Sequence, residues 1–182
     1  MNWDAIGAVA TAGATIIALV IWLSDTRRRA RERTATRRLL AQVMMTPVGT
    51  AQLQIAKFRN AVAPQGGGTS VVQELAHSHN ARSLFAGYAQ LVKVDLPPQF
   101  VDKADLFGET TSNRLAYALS QVSRLHSVWS ALGDLPDDAD RRDIEQCLGV
   151  ALLQIEESEQ VIGEAFQALL KEGRASWKSH GR

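Results

Sequence analysis

Glu74-Leu-Ala-His77 is the first pattern in the chain whose residue types and spacing could do chemistry. On a helix, Glu-x-x-His sets both side chains on one face, the spacing that di-iron bundles use. Such a centre needs a second copy of the motif and two further inward carboxylates. No other glutamate here has a histidine three positions later. His79 follows His77 by two residues, about 200° around a helix, so the pair cannot readily share one metal ion. The motif therefore reads as a polar helix face.

Nucleophiles fare no better. The single cysteine, Cys147, adjoins Leu148 on an apolar stripe and reads as a packed thiol, without a defined partner in His126. No Gly-x-Ser-x-Gly elbow is present, and the glycines at 66–68 lack the Gly-Lys-Ser/Thr that completes a phosphate loop. Glu145, Glu156, Glu157, Glu159 and Glu164 spread over a broad outer helix face, the pattern of a solvated surface. Basic and aromatic residues are not interleaved as nucleic-acid stacking requires. No catalytic, cofactor-binding or metal-binding residue is assigned, no cofactor is expected, and the chain is not expected to be an enzyme.

The elements that carry these residues read as helices. Three-four spacing of apolar residues recurs, with no useful strand alternation. A first helix through Leu39, Leu40, Val43 and Met44 is expected to break or bend at Pro47, with Thr46 as N-cap of the next. That next helix has Val48, Ala51, Ile55, Phe58 and Val62 on one face. Another, capped by Thr69 or Ser70, carries Val72, Leu75, Phe85, Tyr88 and Val92, and a short helix around 99–107 follows. The stripe from Leu115 to Leu132 marks a further helix. A last one starts at Asp137 or Asp138 and carries Ile144, Leu148, Ile155, Ile162 and Leu169. Its stripe breaks at Ser158, which favours a core helix over an intermolecular coiled coil. The expectation is an all-α chain with a cytosolic antiparallel bundle of about four helices.

Residues 5–23 form nineteen consecutive positions without a charge. As a helix they reach about 28 Å, close to the ~30 Å of bilayer hydrocarbon. Trp3 and Trp22 lie near the ends, where aromatic rings favour the interface. The preceding residues include no basic side chain, as a signal peptide would require. Arg27, Arg28, Arg29, Arg31, Arg33, Arg37 and Arg38 follow the segment. By the positive-inside rule they direct the N-terminus outward and the remainder into the cytoplasm, and they suit anionic lipid headgroups. Gly7, Thr11, Ala14 and Ala18 make a small-residue stripe suited to contact between transmembrane helices.

The expected division is an anchor at 1–24, a basic juxtamembrane helix at 25–46, a bundle at 47–172 and a polar tail at 173–182. Residues 25–38 carry a net +5, and residues 39–182 a net −3 (thirteen basic against sixteen acidic side chains). The overall +1 gives no global basic excess for nucleic acid. One cysteine allows no internal disulfide, consistent with a reducing compartment.

The opening Asn2-Trp-Asp-Ala-Ile-Gly-Ala8, its small-residue span and its arginine-rich stop resemble short, uncharacterised bacterial single-pass inner-membrane proteins over the first 40 residues or so. That resemblance implies a bacterial origin and this topology, and no activity. The expected role is a membrane-anchored helical interaction or scaffold module, non-enzymatic, with membrane lipids and a protein partner or a second copy as its contacts. The alternatives are a membrane-perturbing effector of a bacterial stress or phage-defence system, and an enzyme with an unrecognised helical site.

Overall fold

The computed structural model describes residues 3–64, 69–97, 100 and 103–174, with side chains described for 17–64, 71–97, 100, 103 and 105–174. The elements are α1 (Trp3–Val62), α2 (Thr69–His77), α3 (His79–Ala89), a 3-10 turn (Ala104–Leu106), α4 (Glu109–Gly133) and α5 (Arg141–Arg174). Among the described residues there is no strand, so the chain is all-α.

Pairings across the bundle fix its topology. Arg37 meets Glu172 and Arg59 meets Glu159, so α1 and α5 run antiparallel. Thr111 reaches Glu172 while Ser158 bonds the Gln121 carbonyl, which sets α4 antiparallel to α5. Gly133 lies against Ala86 while His126 bonds Val92, so α3 and α4 are antiparallel as well. The result is an up-down-up-down bundle whose core draws on every helix: Met44 and Ile55 from α1, Leu75 from α2, Ala89 from α3, Leu125 and Trp129 from α4, Ile155 and Ile162 from α5. Each large aliphatic buried here contributes roughly 1.5–3 kcal/mol. Phe58 meets Trp129 edge-on at a centroid distance of 4.9 Å, joining α1 to α4 across the centre. Ser158 does not interrupt this core. Fully buried, it bonds Gln154, which in turn donates to Gln121 Oε1 at 2.6 Å.

Three sequence expectations need correction. The helix does not break at Pro47, because α1 runs through it. Proline removes the bond to the Val43 carbonyl and crowds that carbonyl, at a cost of ~3 kcal/mol. Met44, Val48 and Ala51 are fully buried on either side of Pro47 and hold the helix on the core. Val43 is exposed, so water can take the bond its carbonyl loses. The core accordingly begins at Leu40 and Ala41, upstream of the 46/47 boundary.

The helix expected from residue 69 to Val92 is two helices. Ser78 adopts an extended conformation (φ −127°, ψ 115°), and its Oγ accepts the Ala81 N–H. Asp137 accepts the His79 N–H at 2.6 Å, a second cap supplied from the α4–α5 loop. Arg82, fully buried, then donates to the carbonyls of Leu75, Leu135 and Pro136 and clamps the end of α2 to that loop.

The last helix starts at Arg141 rather than at Asp137 or Asp138. Asp140 accepts the Arg142 N–H at 2.9 Å, while Asp137 is occupied by His79 and Arg82. Around 99–107, the described residues include helical Phe100 and the short 3-10 turn, and the rest of the expected short helix lies outside the described residues. There Phe100 and Phe107 are buried, covering the end of the bundle nearest the exposed part of α1.

Candidate functional site

Of the 60 residues in α1, the C-terminal part from Leu40 onward carries the buried positions, and the described residues before it are exposed or half-buried. Ile17, Leu19, Val20, Ile21 and Trp22 are 58–65% exposed, and nothing in the bundle covers them. An isolated helix holds itself together through backbone bonds alone, and this one adds side-chain bonds within itself. Ser24 Oγ donates to the Ile21 carbonyl and Thr26 Oγ1 to that of Trp22, each at 2.8 Å. Thr34 and Thr36 do the same to Ala30 and Glu32. These hydroxyls need no partner outside the helix.

The arginines divide into three groups. Arg29 pairs with Asp25 at 2.8 Å and Arg28 with Glu32 at 2.9 Å, both one turn along the same exposed helix. Arg37 is half-buried, tied to Glu172, and its guanidinium lies 3.1 Å from where a side chain on Gly108 would begin. It fastens α1 to α5 beside the start of α4. Arg27, Arg31 and Arg33 are exposed and Arg38 half-buried, with no ion pair among the described residues. The seven positions distribute around the helix as a collar, beginning about 6 Å beyond Leu23 at 1.5 Å per residue.

Gly7, Thr11 and Ala14 of the small-residue stripe lie outside the residues whose side chains are described, and Ala18 is exposed. Of the expected span, residues 17–23 have described side chains. Among the described residues, no helix is long and apolar enough to cross a membrane.

The residues weighed for chemistry are scattered. Glu74 and His77 are exposed on α2, and the His77 ring donates from Nδ1 to its own helix at Gln73. His79 lies across the α2–α3 break with Nδ1 on the Leu135 carbonyl at 2.9 Å, and His126 donates from Nε2 to the Val92 carbonyl at 2.8 Å. Cys147 is half-buried in a shallow depression with Val128 and Val150. Of the acidic group, Glu159 faces α1 and accepts from Arg59 at 2.7 Å rather than lying on the outer face, and Glu157 approaches Arg124 at 3.8 Å. Among the described residues, no three His, Cys, Asp or Glu side chains converge to hold a metal ion. The glycines at 66–68 lie outside the described residues.

Sequence reasoning missed Arg82 and the Gln121–Gln154–Ser158 network. The only signal was a polar residue at an inward helical position. The chain matches no family model, no curated protein and no solved structure.

Proposed function

We propose that this chain is a single-pass membrane protein, N-terminus outside, whose cytoplasmic bundle is a non-enzymatic interaction or scaffold module. The observation that carries the reading is the uncovered apolar stretch at residues 17–23, continuous in one helix with the arginine collar and then with the bundle. Each large apolar side chain left in water forgoes roughly 1.5–3 kcal/mol, and a bilayer supplies the missing environment. Residues 5–16 extend that stretch to the length of a span.

The collar then lies at the cytoplasmic interface. Arg27, Arg31 and Arg33 are the contacts for anionic headgroups, at about 1 kcal/mol each. Arg28 and Arg29 share their charge with Glu32 and Asp25. Arg37 ties the bundle to α1. Residues 24–36 form a helical spacer of about 20 Å between hydrocarbon and the first bundle contact at Arg37.

Orientation is tested by labelling intact bacterial cells with a membrane-impermeant maleimide. Asn2→Cys in a Cys147→Ala background is expected to label, and Asn60→Cys in the same background only after lysis. Labelling of Asn60→Cys in intact cells contradicts the orientation.

A further inference from the structure

We infer that the bundle carries a head-to-tail contact for a second copy of this chain: the groove between α1 and α3 receives the outer face of α5 from its neighbour. Leu84 and Tyr88, one turn apart on α3, and Leu91 in the turn just past its end are 53%, 44% and 60% exposed. Tyr88, Leu91 and Val92 line a groove with Phe58, Ala61 and Lys57 of α1. Lys57 lines it and Lys93 follows the lining Val92. Both lysines are exposed and make no ion pair among the described residues.

The complementary surface is on α5. Leu153, 62% exposed, projects from a helix whose neighbours Ala151 and Ile155 are buried. Glu156 sits three residues further along the same exposed side, with Glu157 beside it. An apolar knob beside Glu156, which makes no ion pair among the described residues, thus faces an apolar groove beside two lysines.

Position in the bundle decides for a second copy. The helices follow one another around a square in the order α1, α5, α4, α3, so the groove and the outer side of α5 lie on different edges. The two surfaces are also level. Ser158 of α5 bonds the Gln121 carbonyl of α4, and five residues along each antiparallel helix sets His126 opposite Leu153. His126 bonds the carbonyl of Val92, which lines the groove. Copies held upright by identical stalks can meet side by side only through surfaces at equal height, and these are. On this one point the inference rests on the anchored reading. A contact between two different surfaces is heterologous and repeats, so it builds rings or rows.

The test uses the full-length chain in native membranes, in a Cys147→Ala background, with two epitope tags and a short bismaleimide. Co-expressed Leu91→Cys and Leu153→Cys chains are expected to give a cross-linked dimer carrying both tags. Neither variant alone is expected to cross-link, and a chain carrying both cysteines is expected to give a ladder. Lys57→Glu or Glu156→Lys should lower the mixed product by roughly threefold, and the two changes together in one chain should restore it. Cross-linking of Leu91→Cys with itself, or no mixed product, overturns the inference. Alkaline extraction of the same membranes separates the two readings: a retained protein without mixed product fails only the contact, and a released protein with mixed product fails only the anchor.

Discussion

Gly133 at the end of α4 and Gly149 within α5 sit under opposite constraints. A Cβ on Gly133 would lie 2.8 Å from the Ala86 Cβ and 3.5 Å from the Arg82 carbonyl, both fixed to the α3 backbone. A Cβ on Gly149 would meet nothing within 4 Å. Gly133→Ala should therefore destabilise the detergent-solubilised protein by about 1–3 kcal/mol through overpacking. Gly149→Ala should stabilise it by about 0.5–1 kcal/mol, by helix propensity alone. Chemical denaturation followed by circular dichroism reads both, and equal effects would mean that α3 and α4 do not approach so closely. Neither glycine announces its role in the sequence, because close approach depends on the facing helix. The same holds for Arg82 and for Gln121 with Gln154. Each is an ordinary surface residue type whose burial is compensated by acceptors far along the chain. With no chemical constellation brought together, the site-scale reading rests on exposed surfaces.

At the scale of elements, the apolar stripes were legible, because a three-four period identifies a helix and its buried face without knowledge of the fold. Leu115, Leu125 and Trp129 on α4, and Leu148, Ile155 and Ile162 on α5, are buried as that period requires. The break at Ser78 is legible too, from the gap in the stripe. Between Leu75 and Phe85, a single helix would have turned His79 and Arg82 toward the core. Pro47 misled because its local cost is real, yet packing on both sides overrides it. The two placements of Pro47 differ in outcome. Inside a continuous helix, Pro47→Ala restores a backbone bond and should raise stability by about 1–3 kcal/mol. At a first helical position, where proline is favoured, the same change would be neutral or mildly destabilising. Comparison of denaturation midpoints for the two proteins decides between them.

For the whole molecule, one continuous helix relates three regions of different character. Its apolar stretch at 17–23 is uncovered, its arginines from Arg27 to Arg33 are exposed, and its end is part of the core. A continuous helix transmits orientation as a flexible linker would not, so the spacer sets the bundle at a fixed distance from Leu23. That is why a lateral contact between copies can depend on level surfaces. Charge follows the same division, net +5 at 25–38 and net −3 beyond. In the proposed anchored arrangement, that division would hold the acidic bundle off an anionic membrane and draw the collar to it.

The orientation, the spacer and the role of the collar all depend on the anchor. Alkaline carbonate extraction of membranes from cells expressing the full-length chain tests it most directly. The protein should remain in the membrane pellet, as hydrocarbon burial of residues 5–23 requires, because high pH strips proteins held by charge alone. Quantitative release into the supernatant would contradict the account, leaving the arginines as a purely electrostatic attachment and the apolar start of α1 in need of another partner.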